Sequence, residues 1–411
     1  MNKLWMVVLF SLACGMAFAE PEASARRDQG YIVVTPDGPA DGGDFGPGTP
    51  GTRTSGIQEA LNAAKEQRRD VYIAGGTMPK PFANGAVYFI QETLRVPWFQ
   101  DFRLDGGEYV IQYVPQTGDA VVFDSLMSCR IKMGLIVAQT DGAVIHFKPE
   151  KKGPDNFAVI IASVFEFNAA VGGGKVFPEE GNKGRGVGLW LDGAAGPIVN
   201  NRIALAEPIA CDKAVQATGQ VSNNTMQFTF NHLSNTGLDL GTGPGSNFQR
   251  NRVSASIDSQ GIKNAVGAVI GGENNLFDLD FSPGDKGVNI RFAPNAKANR
   301  VTALNLPGKI ENLAETPTNL VLANGGLGFS VETPAVPASG KPLVNRQPFV
   351  VEVLITEPGE VKTWTLATAA ETGEQSFAGP VQAGQGIRLE PGDSLRLEYG
   401  KAPAWRWRAL R

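Results

Sequence analysis

Five segments of this chain repeat one arrangement of apolar and polar residues. NRIAL, NTMQF, NRVSA, NLFDL and NRVTA each carry apolar residues two and four places after an Asn. A strand with one buried face requires that alternation. The asparagines are Asn201, Asn224, Asn251, Asn275 and Asn299, at successive steps of 23, 27, 24 and 24 residues. A period of this length marks a solenoid, and the leucine consensus of leucine-rich repeats is missing. Asn at a fixed corner suits a bend where the backbone turns left-handed or where an amide bonds its neighbours.

A second alternating set precedes these corners: GAVIHF from Gly142, GVGLWL from Gly186, KAVQAT from Lys213, GLDLGTG from Gly237, GAVIGG from Gly267 and GVNIRF from Gly287. Two short strands per turn with no helix between them predict a parallel β-helix, each strand pairing with the turns above and below. Its first turn needs a cover. Ser55-Gly56-Ile57-Gln58 reads as a capping box that opens a helix with Ile57, Ala60, Leu61 and Ala64 on one face. Beyond Gly326 the pattern changes. Thr333 to Gly340 is a Pro/Ser/Gly linker, and FVVEVLI, VKTWTLA, GIRLEPGDSLRLEY and PAWRWRAL predict a small antiparallel β-sandwich with a turn at Pro391-Gly392-Asp393. Trp405 and Trp407, two apart, read as residues of its core face, with contact to a sugar or a neighbouring subunit as the alternative.

The order of helix, strand, Gly-rich turn and coils over residues 30 to 325 resembles the pectate lyase and polygalacturonase-like superfamily, together with its relatives on phage tailspikes. The resemblance implies an all-β protein built on a right-handed parallel β-helix, and a polysaccharide as partner. The expected organisation is a signal peptide at 1–19, a β-helix at 20–325, a linker at 326–342 and a sandwich at 343–411.

The signal reading rests on Lys3, the apolar run Leu4 to Ala13, and Ala17-Phe18-Ala19 before Glu20. The apolar run is too short to span a bilayer. Secretion or a periplasmic location follows, with a lipid anchor at Cys14 as the alternative; Ser11 stands where a lipobox wants an aliphatic residue. After cleavage no integral membrane segment is expected. Cys129 and Cys211 remain, either paired or as buried thiols, and have no metal-ligand spacing. With 37 basic and 41 acidic residues the net charge is -4, which offers no overall basic footprint for nucleic acid.

The family's catalytic pattern does not carry over. There is no Asp-Asp pair and no Gly-His-Gly, and Arg130-Ile131-Lys132 matches a family tripeptide at the wrong end of the candidate groove. Candidate chemistry therefore comes from outward positions. Around the second strand set these give Asp212, Asp239, Lys213, Arg185 and His146 as catalytic candidates, and Trp190, Gln216, Asn289 and Arg291 as sugar contacts. The insertion Ala169 to Gly184, with Lys175, Glu179, Glu180 and Lys183, supplies a possible groove wall. In a hydrolase two carboxyls would share acid and base roles; in a lyase Arg185 or Lys213 would hold a uronate while a base takes the adjacent proton.

The Asn-led strands offer a second face. Asp278 and Asp280 stand at i and i+2, roughly 6.6 to 6.8 Å apart along a strand, near the lower end for inverting carboxylate pairs. Arg252 and Arg300 lie on adjacent turns. Ca2+ could sit there, but no liganding loop is present, so no cofactor and no metal site is expected. His232 reads as a surface turn residue. These features predict a polysaccharide lyase or glycoside hydrolase, with a non-catalytic carbohydrate-binding or adhesion protein, homotrimeric in the manner of tailspikes, as the alternative.

Overall fold

The computed structural model describes residues 19–75, 86–106, 108–150, 157–172, 186–232, 234–258, 262, 264–282, 287–327, 331–369 and 373–410. The signal segment and Arg185 lie outside them, as do residues 173–184 of the insertion. The described residues form two compact units, one running to 172 and from 186 to 211, the other from 212 to 410. It is an all-β protein with long parallel sheets and few helices, consistent with a β-helix.

In the first unit, one parallel sheet takes Ile32–Val34, Val71–Ile73, Arg103–Gly106, Arg130–Ala138, Val164–Val171 and Arg202–Ile209 in that order. The other takes Leu94–Val96, Val121–Phe123, Ala143–Phe147 and Val187–Val199. The chain visits the two sheets in turn, so alternate side chains from both meet inside. Phe123, Phe147, Phe165 and Phe167 fill that interior with ring centroids 4.4 to 6.3 Å apart.

The helix Ile57–Gln67 buries Ile57, Ala60, Leu61 and Ala64 completely. Its start differs from a capping box. Gly56 is the N-cap, at a φ of 81°, and no side chain of the N-cap bonds the helix. A Cβ at Gly56 would meet the Gly46 backbone at 2.4 Å, which only glycine avoids. Ser55 Oγ instead donates to Phe89 O, and Thr54 Oγ1 accepts from Gln58 N at 3.2 Å. Gln58 then bonds both backbone groups of Arg95, accepting from its N–H at 2.8 Å and donating to its C=O at 3.0 Å, on the edge strand Leu94–Val96.

In the second unit, Thr225–His232, Arg252–Asp258, Leu276–Phe281, Arg300–Leu306 and Leu320–Leu327 form one parallel sheet. Lys213–Ser222, Thr236–Leu240, Val266–Ile270, Val288–Phe292 and Lys309–Asn312 form the other. The repeated asparagines line a buried ladder at the corner. Asn224, Asn251, Asn275, Asn299 and also Asn319 are 0 to 1 % exposed. Each side-chain amide of the first four donates to the next Oδ1 at 2.9 to 3.2 Å, and that same Oδ1 accepts the preceding residue's backbone N–H at 2.9 to 3.1 Å. The left-handed residue is the one before: Asn223, Arg250, Asn274 and Ala298 have φ of 51 to 58°. The first unit builds the same corner from Asn201, Ser163 and Cys129, with Asn201 Oδ1 accepting Ser163 N and Ser163 Oγ accepting Cys129 N, each at 3.0 Å.

The antiparallel sandwich follows. Pro342–Val344, Ser394–Tyr399, Val361–Ala367 and Glu374–Ala378 form one sheet, and Gly386–Leu389, Val351–Glu357 and Ala404–Ala409 the other. Its core includes Val351, Ile355, Leu395, Trp405 and Trp407. The Pro-rich stretch before it is pinned: Trp405 Nε1 donates to Pro334 O at 2.8 Å and Tyr399 OH to Pro337 O at 2.8 Å. Ile310, from the last coil, packs on this core. Cys129 and Cys211 are both buried and no disulfide joins them, and burial pushes the Cys129 thiol up to about 11. Among the described residues no helix is long and apolar enough to cross a membrane.

Candidate functional site

In the second unit, the outer face of the Asn-led sheet is grooved. Inward Val253, Ala255, Phe277, Leu279, Val301 and Ala303 leave the intervening side chains on the outside. Register then sets these in rows: Ser254, Asp278 and Thr302 in one, Ser256, Asp280 and Leu304 in the other. They line an open groove of about 300 Å³, which Gln227 and Thr229 extend. Arg252 Nη2 stands 3.3 Å from Asp278 Oδ2, and Asn305 Nδ2 donates to Asp280 Oδ1 at 3.1 Å. Leu304, 49 % exposed, adds an apolar surface to the rim. The arrangement offers two carboxylates, four hydroxyls and an amide to one ligand, a set of groups that suits the hydroxyls of a sugar.

The predicted groove on the second strand set looks different in its second-unit portion. Asp239 does lie between the inward Leu238 and Leu240, but it is only 8 % exposed. Lys213 Nζ sits 2.6 Å from its Oδ2, and Thr242 Oγ1 bonds its Oδ1. Lys213 and Asp239 therefore satisfy each other. Gln216 is the register partner of Asp239. Arg291 is held by Glu311 at 2.6 Å. Asp212 is exposed and accepts Asn235 Nδ2 at 2.9 Å. Asn289, predicted to face outward, is 2 % exposed and its Oδ1 accepts Gly308 N at 2.5 Å, so it serves the next turn of backbone and is closed to a substrate.

The first unit holds His146 and Trp190, register partners on neighbouring strands, with rings stacked at 4.5 Å and 4°. His146 is 3 % exposed. Asp119 Oδ2 lies 2.8 Å from its Nδ1, and Asp192 Oδ2 3.7 Å from its Nε2. Burial disfavours the imidazolium, but the hydrogen bond to Asp119 and the nearby Asp192 carboxylate outweigh it and hold the pKa above its usual value. Burial likewise raises Asp119, yet the bonds from His146 and from Ala143 N bring its carboxyl below the usual range. The predicted base is thus a covered bridge between carboxylates. Asp192, two residues after Trp190, shares its outward parity and was legible; Asp119 reaches His146 only through the register between coils.

His232 lies at the end of the strand Thr225–His232, opposite Asp258, and not in a turn. Lys175, Glu179, Glu180 and Lys183 lie outside the described residues, as does Arg185. Among the described residues no group of three or more His, Cys, Asp or Glu is placed to hold a metal ion. No family model matches the chain, and a search of curated proteins finds no match.

Proposed function

We propose that the chain is an exported, right-handed parallel β-helix protein of the pectate lyase-like architecture that hydrolyses a polysaccharide in the groove over Asp278 and Asp280. The observation that carries this reading is the pair of carboxylates on one outer face of the groove, at i and i+2. Their backbone positions are roughly 6.6 to 6.8 Å apart, and the separation of the carboxyl groups themselves decides whether a water stands opposite the leaving oxygen and the configuration inverts. One carboxyl protonates the glycosidic oxygen while the other activates that water. Ser254, Ser256, Thr302 and Gln227 supply hydrogen bonds that orient the ring. A lyase is the weaker reading, because Arg252, the cation paired with this site, is already committed to Asp278.

The test is a glycan panel incubated with the mature protein and read for new reducing ends and for ultraviolet absorbance of unsaturated uronate. Reducing ends without absorbance, lost in Asp278→Asn and Asp280→Asn, support the reading. Absorbance would make it a lyase. Binding without cleavage would make it the carbohydrate-binding protein of the alternative.

A further inference from the structure

The two sheets of the sandwich have four outer strands, and three of them are guarded against a further strand. Pro342–Val344 is three residues long, opens on a proline and follows the exposed Lys341. Ala404–Ala409 is covered by the Pro-rich stretch: Thr333 Oγ1 accepts the Trp407 N–H at 3.0 Å, and Pro334 O accepts Trp405 Nε1. Gly386–Leu389 is four residues long and carries the exposed charge of Arg388, which blunts pairing. Glu374–Ala378 has no such device. Its pairing with Val361–Ala367 is regular from Glu374 to Ala378, and all five residues are exposed. It contains no proline, no lysine and no bulge, and its one charge, Glu374, is bound by Arg396 at 2.8 Å. Among the described residues no strand pairs with its outer side.

One bond sets the phase of the backbone groups on this strand. Gly379 N donates to Lys362 O at 3.0 Å, so Phe377 and Gln375 turn their N–H and C=O toward Val361–Ala367, while Glu374, Ser376 and Ala378 turn theirs away. The side chains follow the same register: Phe377 stacks on Trp364 at 4.1 Å, and Ser376 Oγ lies 3.0 Å from Thr365 Oγ1. Three outward residues centred on Ser376 are self-complementary. Against a second copy running antiparallel, Ser376 meets Ser376 and Glu374 meets Ala378 on either side, each pair exchanging both backbone bonds. The two glutamates do not face each other there. A parallel pairing in register would set Glu374 against Glu374, which repels.

We infer that Glu374–Ala378 pairs with the same strand of a second copy of this chain, antiparallel about a two-fold axis at Ser376, so that the two four-stranded sheets become one. In that pairing Phe377, 39 % exposed, lies beside Gln375 of the other copy and gives up apolar surface to it. The contact uses the same patch on both copies and therefore closes at two. It goes beyond the hydrolase reading and does not depend on it, since Asp278 and Asp280 take no part.

Sedimentation velocity of the mature chain from about 1 to 100 µM, the range in which so small an interface associates, tests this. The mass is expected to rise from one chain to two and to stop there. Ser376→Lys sets like charges against each other on the axis and should weaken association at least about tenfold, with an unchanged melting temperature at the lowest concentration. Ser376→Pro removes the central N–H, which faces solvent in the single chain, and should weaken association as much. Amide exchange at Ser376 and Ala378 should slow as concentration rises, while Gln375 and Phe377, already bonded to Val361–Ala367, stay as they are. Asp278→Asn should pair as the wild type does, which separates failure of the pairing from failure of the catalytic reading. A single chain at every concentration, which would leave the edge to a strand of a different protein, a trimer, unchanged exchange at Ser376, or a dimer indifferent to both Ser376 variants would overturn the inference.

Discussion

Asn275→Ala removes the centre of the ladder and should be among the costliest single changes in the solenoid. Asn275 is fully buried. Its Oδ1 accepts Asn251 N at 2.9 Å and Asn251 Nδ2 at 3.2 Å, and its Nδ2 donates to Phe248 O at 3.1 Å and Asn299 Oδ1 at 2.9 Å. The four partners are not equally hurt. Phe248 O still accepts Glu273 N, Asn251 Nδ2 still reaches Val221 O, and Asn299 Oδ1 keeps Asn275 N. Asn251 N alone is left buried without an acceptor, at about 1 to 3 kcal/mol, while each of the other bonds is worth about 0.5 to 1.5 kcal/mol. The loss should therefore be about 2.5 to 7.5 kcal/mol. Urea unfolding gives the total, and amide exchange gives the site, because Asn251 N–H should lose protection before the amides of Val253 and Phe277. A loss below about 1 kcal/mol, with Asn251 still protected, would refute the idea that the ladder holds the coils in register.

Two further expectations follow from buried groups. His146 has a folded pKa above its unfolded value, so its contribution is fully present below about 6.5 and is lost as pH rises through the folded pKa. Asp119, depressed in the fold, contributes above about 3.9 and loses its contribution as pH falls. Melting temperature should accordingly decline as pH rises from about 6.5 through the raised folded pKa of His146, and His146→Gln should flatten that decline; an unchanged slope contradicts the bridge to Asp119 and Asp192. Trp405→Ala empties a core position of the sandwich and frees Pro334 O, at about 3 to 5 kcal/mol in the unfolding of that domain. A change under about 1 kcal/mol would place Trp405 outside the core.

The sequence made the solenoid legible because stacking forces one chemistry to recur at one phase. Asn201 to Asn299 announce the corner, and alternation after each names the buried residues correctly. The ladder was less visible where its chemistry varies: Ser163 and Cys129 hold asparagine positions, and Asn319 follows Asn299 by only 20 residues. Alternation tells which side chains point outward, but not which outward face is concave or already filled. Asp239 and Asp278 have the same parity in their strands, yet one is closed by Lys213, and the other lines the groove. That difference depends on the register between coils, where Lys213 opposes Thr236 and its side chain reaches Asp239 three residues further along that strand. The same dependence hid Asp119 from view. In the sandwich, the spacing of Trp405 and Trp407 was enough to place both in the core.

The central claim is that Asp278 and Asp280 act together on a glycan in the groove. The most direct measurement compares reducing-end release by the wild type, Asp278→Asn, Asp280→Asn and Lys213→Gln on whichever polysaccharide of the panel is cleaved. Each groove variant is expected to fall at least about a hundredfold, as removal of a general acid or base does, while Lys213→Gln retains activity. Full activity in both groove variants, or a loss confined to Lys213→Gln, would contradict the account and return the chemistry to the second strand set.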